Sequence, residues 1–182
     1  MLRLGCLLVV LAWFPSSAGA QGAADETSVT VTFVESAPKD SFTIANVGKC
    51  KAHNLQLRIN LATSQGRLIF DPTGQGAGVE VFQPLQVTNG QAQITSISQV
   101  SDGSQDVELR LTSLAPGSIV SFTVDVDDTL PRDRSELGQI RVSGSEISGA
   151  EVQGQVGEGG SVKAIFGSDA TARLARVSCA QT

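Results

Sequence analysis

Most of the chain alternates apolar and polar residues with a period of two. "TSVTVTF" sets Val29, Val31 and Phe33 on one face with threonines between them, and "SFTI" pairs Phe42 with Ile44. "NLQLRINL" alternates Leu55, Leu57, Ile59 and Leu61 with Gln56, Arg58 and Asn60. "DVELRL" groups Val107, Leu109 and Leu111, and "IVSFTVDV" groups Val120, Phe122, Val124 and Val126. "QIRV" and "AEVQGQV" continue the pattern more weakly. Successive side chains of a strand point to opposite faces, so this alternation predicts antiparallel strands with one face in a core and one in water. The breaks carry turn chemistry: Asn89-Gly90, Asp102-Gly103 and Pro116-Gly117 are turn dipeptides, "DPTGQGAG" (71–78) reads as a loop and "GEGG" (157–160) as a turn. Roughly ten to twelve short strands at about 8–12-residue spacing, with no amphipathic helix, predict an all-β, single-domain antiparallel β-sandwich. Ala170 to Val177 is read as its last strand.

The first twenty residues fall outside this pattern. Arg3 precedes an apolar run, "LGCLLVVLAWF", and Ala18-Gly19-Ala20 forms a small-x-small cleavage signal. That order of features predicts a secretory signal peptide over 1–20 and a folded domain over 21–182. The run is shorter than the roughly 20 residues a membrane-spanning helix needs, and no second apolar run follows within the chain. The expected location is secreted, periplasmic or cell-surface.

Charge and cysteines refine this picture. The chain has 13 basic and 18 acidic residues for a net charge of −5, and loss of Arg3 makes the domain more acidic by one. An acidic balance without basic clusters argues against nucleic acid or an anionic membrane surface as partner. With Cys6 in the leader, Cys50 and Cys179 remain, and in an oxidising compartment they are expected to pair. Such a bridge would close a long loop, worth roughly 4–5 kcal/mol in the chain-entropy view. The domain has no tyrosine and no tryptophan, since Trp13 lies in the leader, and its six phenylalanines (33, 42, 70, 82, 122 and 166) read as core.

The candidate chemistry lies in "SFTVDVDDTLPRDRSELG" (121–138), with Asp125, Asp127, Asp128, Asp133 and Glu136. Strand parity puts Asp125 and Asp127 on the polar face set by Ser121 and Thr123, which predicts outward carboxylates at a strand end. Arg132 and Arg134 could then balance them. The other reading is a cation site. Calcium takes six to eight oxygens, and clustered carboxylates supply them. The acidic spacing matches positions 1, 3, 9 and 12 of an EF-hand loop. However, Leu130 stands where that loop needs glycine and strands flank the stretch, so a β-sandwich calcium loop is the form such a site would take. Asp71, Glu80, Asp102 and Glu146 are candidates for further oxygens from other loops.

Catalytic motifs are weak. "SAPK" (36–39) is formally S-x-x-K but lies between strands, where Pro38 favours a turn. His53 is the single histidine and has no nucleophile signature around it. Zinc would need more histidine and cysteine than the domain offers. Gly74, Gly76 and Gly78 make G-x-G-x-G without a βαβ unit. Carbohydrate sites that grip sugars on aromatic faces would need the missing tryptophan and tyrosine. The expectation is a protein that binds and does not catalyse.

Five stretches resemble the aggregation factor core proteins, a family named for sponge cell-adhesion material with secreted bacterial relatives. They are "FVESAPKDSFTIAN" (33–46), "LIFDPTGQGAGVEVFQP" (68–84), "VSDG" (100–103), "FTVDVDDT" (122–129) and "VSGSEISGAEV" (142–152). The resemblance implies a secreted, non-catalytic adhesion or extracellular-matrix domain associated with calcium. Its partner would be a cell-surface or matrix protein, a glycan, or another copy of itself. It directs attention to Asp71, Glu80, Asp125, Asp127, Asp128 and Glu146, which lie in the resembling stretches, and away from Asp133 and Glu136, which do not. The alternative is a cation-independent periplasmic structural or protein-interaction domain.

Overall fold

The computed structural model describes residues 26–36, 38–79, 81–138 and 141–178. Among the described residues twelve strands follow one another: β1 (Glu26–Val34), β2 (Asp40–Asn46), β3 (Ala52–Asn60), β4 (Ile69–Phe70), β5 (Gln86–Asn89), β6 (Ile94–Ile97), β7 (Asp106–Leu114), β8 (Ile119–Val124), β9 (Val126–Asp127), β10 (Glu151–Val156), β11 (Val162–Ile165) and β12 (Thr171–Ser178). One turn of 3-10 helix, Gln91–Gln93, joins β5 to β6. The expected signal peptide lies outside the described residues. The expected strand in "QIRV" does not form at Arg141 and Val142, whereas the last strand forms where the alternation put it.

The strands make two five-stranded antiparallel sheets, ordered β12-β1-β2-β8-β5 and β11-β10-β3-β7-β6, and a two-stranded ribbon of β4 with β9. The fold is therefore the expected all-β sandwich. Alternation explains the register. Val31 faces Ile44 and Phe42 faces Phe122 across the first sheet. Leu55 faces Leu111 and Leu57 faces Leu109 across the second. All of these are buried, while their polar neighbours stay on the outer faces. β1 lies between β2 and β12, so the first strand of the domain is paired with its last.

The glycines of the turn dipeptides do the work their φ angles require. Gly90, Gly103 and Gly117 have φ of 75°, 81° and 74°, a left-handed conformation in which a side chain is strained. An aromatic group fills the first sheet's inner face: Phe42 stacks on Phe122 at 5.1 Å and meets Phe33 edge-on at 5.2 Å, with Phe70 at 6.2 Å. Phe82 does not join them. It is 73% exposed, contrary to the expectation that every phenylalanine is core. It sits in the segment between the glycine loop and β5, which crosses the surface.

Candidate metal centre

The acidic stretch begins where β8 runs out. After Val124 the chain leaves the first sheet, and Val126 and Asp127 pair with Phe70 and Ile69 of β4. Val126 and Phe70 are fully buried and anchor the ribbon in the core. The residues flanking them, Asp71, Asp125 and Asp127, are carried under the loop that connects β4 to β5. Main-chain bonds hold that loop down. Asp71 N–H donates to the Asp125 carbonyl (3.0 Å), Gln83 N–H to the Pro72 carbonyl (3.0 Å) and Asp125 N–H to the Gln83 carbonyl (3.4 Å). The result overturns the parity reading. Asp71, Asp125 and Asp127 are 1%, 3% and 0% exposed. The glycine loop that lies against Asp71 and Asp127 takes them out of water.

One oxygen from each of the three carboxylates lies within 4.8 Å of the other two. Gly78 permits this approach. Its φ is +114°, and a Cβ there would sit 2.4 Å from Asp71 Oδ2 and 2.8 Å from Asp127 Oδ2. Val79 N–H donates to Asp127 Oδ2 at 2.5 Å. Two acceptors in the cluster, Asp71 Oδ2 and Asp127 Oδ1, are buried without a hydrogen-bond partner. A buried acceptor with no donor is costly, and a buried carboxylate more so.

The electrostatics follow from this crowding. Burial, then the Asp71 charge, pushes Asp125 up to about 6. Burial, then the Asp125 and Asp71 charges, pushes Asp127 up to about 7 against the opposing Val79 N–H. Burial raises Asp71 as well. Without a cation, burial and mutual repulsion together favour the protonated forms of these carboxyls.

Two further aspartates shape the site. Asp40, at the start of β2, is 3% exposed and accepts from Ser36 N–H (3.3 Å) and Val126 N–H (3.1 Å). Burial lifts it to about 8. Its bond to Val126 fixes the peptide between Asp125 and Asp127. Asp102 gathers the glycine loop, accepting from Thr73 N–H (2.8 Å), Gln75 N–H (3.0 Å) and the Thr73 hydroxyl. These bonds hold its carboxyl below the usual range.

The other predicted residues stand apart from the triad. Asp128 is buried but accepts from Leu130 N–H (2.9 Å) and the Ser135 hydroxyl (2.6 Å), which shapes its own turn. Glu146 is buried and accepts from Ser143 N–H (2.7 Å) and Glu136 N–H (3.1 Å), which ties two loops together. Glu80 lies outside the described residues. Asp133 is exposed, and Glu136 accepts from the Ser143 and Ser145 hydroxyls. Arg132 and Arg134 are exposed, and among the described residues no ion pair joins them to the aspartates. Cys179 lies outside the described residues, so its expected bridge to Cys50 falls beyond them.

Sequence reasoning did not find Asp40, Gly78 or Gln83. The run "GQGAG" carried a usable signal, because closely spaced glycines mark a loop that lies against something. Asp40 and Gln83 carried none, since their roles come from strands distant in sequence.

The donor set suits a hard cation. It is all oxygen, carries three potential negative charges and has unpartnered acceptors. A cavity of about 170 Å³, lined by Gly78, Val79, Asp127, Asp128 and Thr129, opens beside Asp127. Among the described residues, no helix is long and apolar enough to cross a membrane. No protein-family model matches the chain, and no curated protein matches its sequence.

Proposed function

We propose that the protein is a secreted, non-catalytic β-sandwich module of adhesion or extracellular matrix, with calcium bound by Asp71, Asp125 and Asp127. The observation that carries the cation is the buried triad with its two unpartnered oxygens. Calcium fits better than magnesium because it accepts irregular geometry and many protein oxygens, whereas magnesium keeps several waters and demands a near-octahedral shell. The adhesion or matrix role rests on the resemblance of the five stretches to the aggregation factor core proteins. The signal sequence supports an exported location, at the cell surface, in the periplasm or outside the cell. The partner is a surface or matrix protein, a glycan, or a second copy of the chain. The bridge between Cys50 and Cys179 belongs to the same reading.

The test is thermal unfolding of residues 21–182 in calcium, magnesium or EDTA, followed by circular dichroism because the domain has no tryptophan or tyrosine. Calcium should raise the Tm, and Asp125→Asn with Asp127→Asn should remove the rise. An unchanged Tm at millimolar calcium would sink the cation reading. The second reading, a cation-independent periplasmic structural or interaction domain, is favoured by the raised Asp127, since a shared proton can quiet the triad without metal.

A further inference from the structure

We infer that Gln83 is a fourth ligand of the triad's cation, through its side-chain oxygen Oε1. The inference rests on the cation reading above and adds a residue of a different chemical type. Among the described residues, four buried side-chain polar atoms have no hydrogen-bond partner: Asp71 Oδ2, Asp127 Oδ1, Gln83 Oε1 and Gln93 Oε1. All four are acceptors. Two belong to the triad. Gln83 Oε1 belongs to the residue whose main chain is tied to the triad from both sides, through Pro72, the neighbour of Asp71, and through Asp125 itself. Gln83 is 9% exposed on a segment that otherwise crosses the surface, next to Phe82 at 73%. Gln93 differs, as a half-buried residue of the short helix between β5 and β6.

Coordination chemistry explains why an amide is useful there. Three carboxylates offer at most six oxygens, and Asp127 Oδ2 already receives the Val79 N–H. Calcium takes six to eight, and side-chain amide carbonyls are among its regular ligands. A neutral oxygen raises the coordination number without adding to the repulsion that already lifts Asp125 and Asp127. The ion would then join three separate segments: the end of β4, the approach to β5 and the β8–β9 junction.

Calorimetric titration of calcium into wild type, Gln83→Leu, Gln83→Glu and Asp127→Asn tests this, with hydrogen exchange followed over 81–87 and 125–127. Wild type should bind. Gln83→Leu should weaken binding roughly tenfold or more, on the scale of lost support at metal sites. Calcium should slow exchange in both segments of wild type but only over 125–127 in Gln83→Leu. Gln83→Glu, which adds a charged oxygen at the same place, should bind calcium more tightly than wild type, and it carries the test if the leucine variant fails to fold. Wild-type affinity in Gln83→Leu, or a Gln83→Glu variant no tighter than wild type, would overturn the role of Gln83 and leave the triad standing, provided Asp127→Asn loses binding. Absence of binding by wild type would remove the cation reading and this inference together.

Discussion

Two groups of acidic side chains stand in opposite settings, and the contrast between them identifies the candidate site. On the outer face of the second sheet they are exposed and paired across or along strands. Arg58 meets Asp106 at 2.8 Å and Lys163 meets Glu151 at 2.7 Å, with the Arg58 and Asp106 side chains 47% and 41% exposed. At the β4–β9 ribbon they are buried and make no ion pair among the described residues, and Asp71 and Asp127 press on a glycine. The first set is the ordinary water-facing half of an amphipathic sheet and is worth little to stability. The second costs free energy unless something positive, a proton or a metal ion, shares the space. Acidic count does not separate the two settings. Burial without a partner does.

The comparison breaks most visibly at Gly78. Gly78→Ala puts a methyl group among the carboxylate oxygens at a φ of +114°, and should lower stability by about 3 kcal/mol in denaturant titration. An alanine tolerated at wild-type stability would mean that the loop does not press on the triad. Calcium should act at the ribbon and the segment that covers it, and not on the exposed face. At one hundred times its dissociation constant it would add about 2.7 kcal/mol, seen as a calorimetric rise in Tm.

The pH dependence of the metal-free protein comes next. Asp125, Asp127 and Asp40 have folded values raised to about 6, 7 and 8, above their unfolded range. The folded state therefore keeps protons that the unfolded chain has released, and the stability they contribute falls as pH rises from about 4, where free aspartate ionises, until it passes the folded values. In EDTA the Tm should be higher at pH 5 than at pH 8, and calcium should close the gap. A metal-free Tm that climbs across this window would contradict the burial argument. The smallest effect belongs to the exposed face. Arg58→Ala should change stability by less than about 1 kcal/mol and leave calcium binding untouched.

The strands were legible because a period of two is a local signal, repeated in Leu55 to Leu61 and Val120 to Val126. The turns were legible because glycine after asparagine, aspartate or proline has a local conformational reason. The site was half legible. Asp71, Asp125 and Asp127 were visible as candidates, but parity alone left two of them facing water. Burial is decided by the path of the loop over 72–85, which alternation does not encode. The same limit explains Phe82, whose apolar side chain predicts core although its segment runs over the surface. Asp128 is a candidate from the acidic stretch and Glu146 from a separate loop within the resembling stretches, and their oxygens accept from neighbouring main-chain and hydroxyl donors.

The pairing of β1 with β12 has a consequence for how the domain is made. Thr32 and Thr171 stand side by side, their hydroxyl oxygens 3.4 Å apart and their positions 139 residues apart in the chain. A chain synthesised from its amino end completes β1 long before its neighbour exists, so that edge of the first sheet stays open until the final strand arrives. Contacts of such long sequence separation make folding slow. The closing step of the first sheet waits for β12, and loss of that strand would leave β1 with an unpaired, aggregation-prone edge.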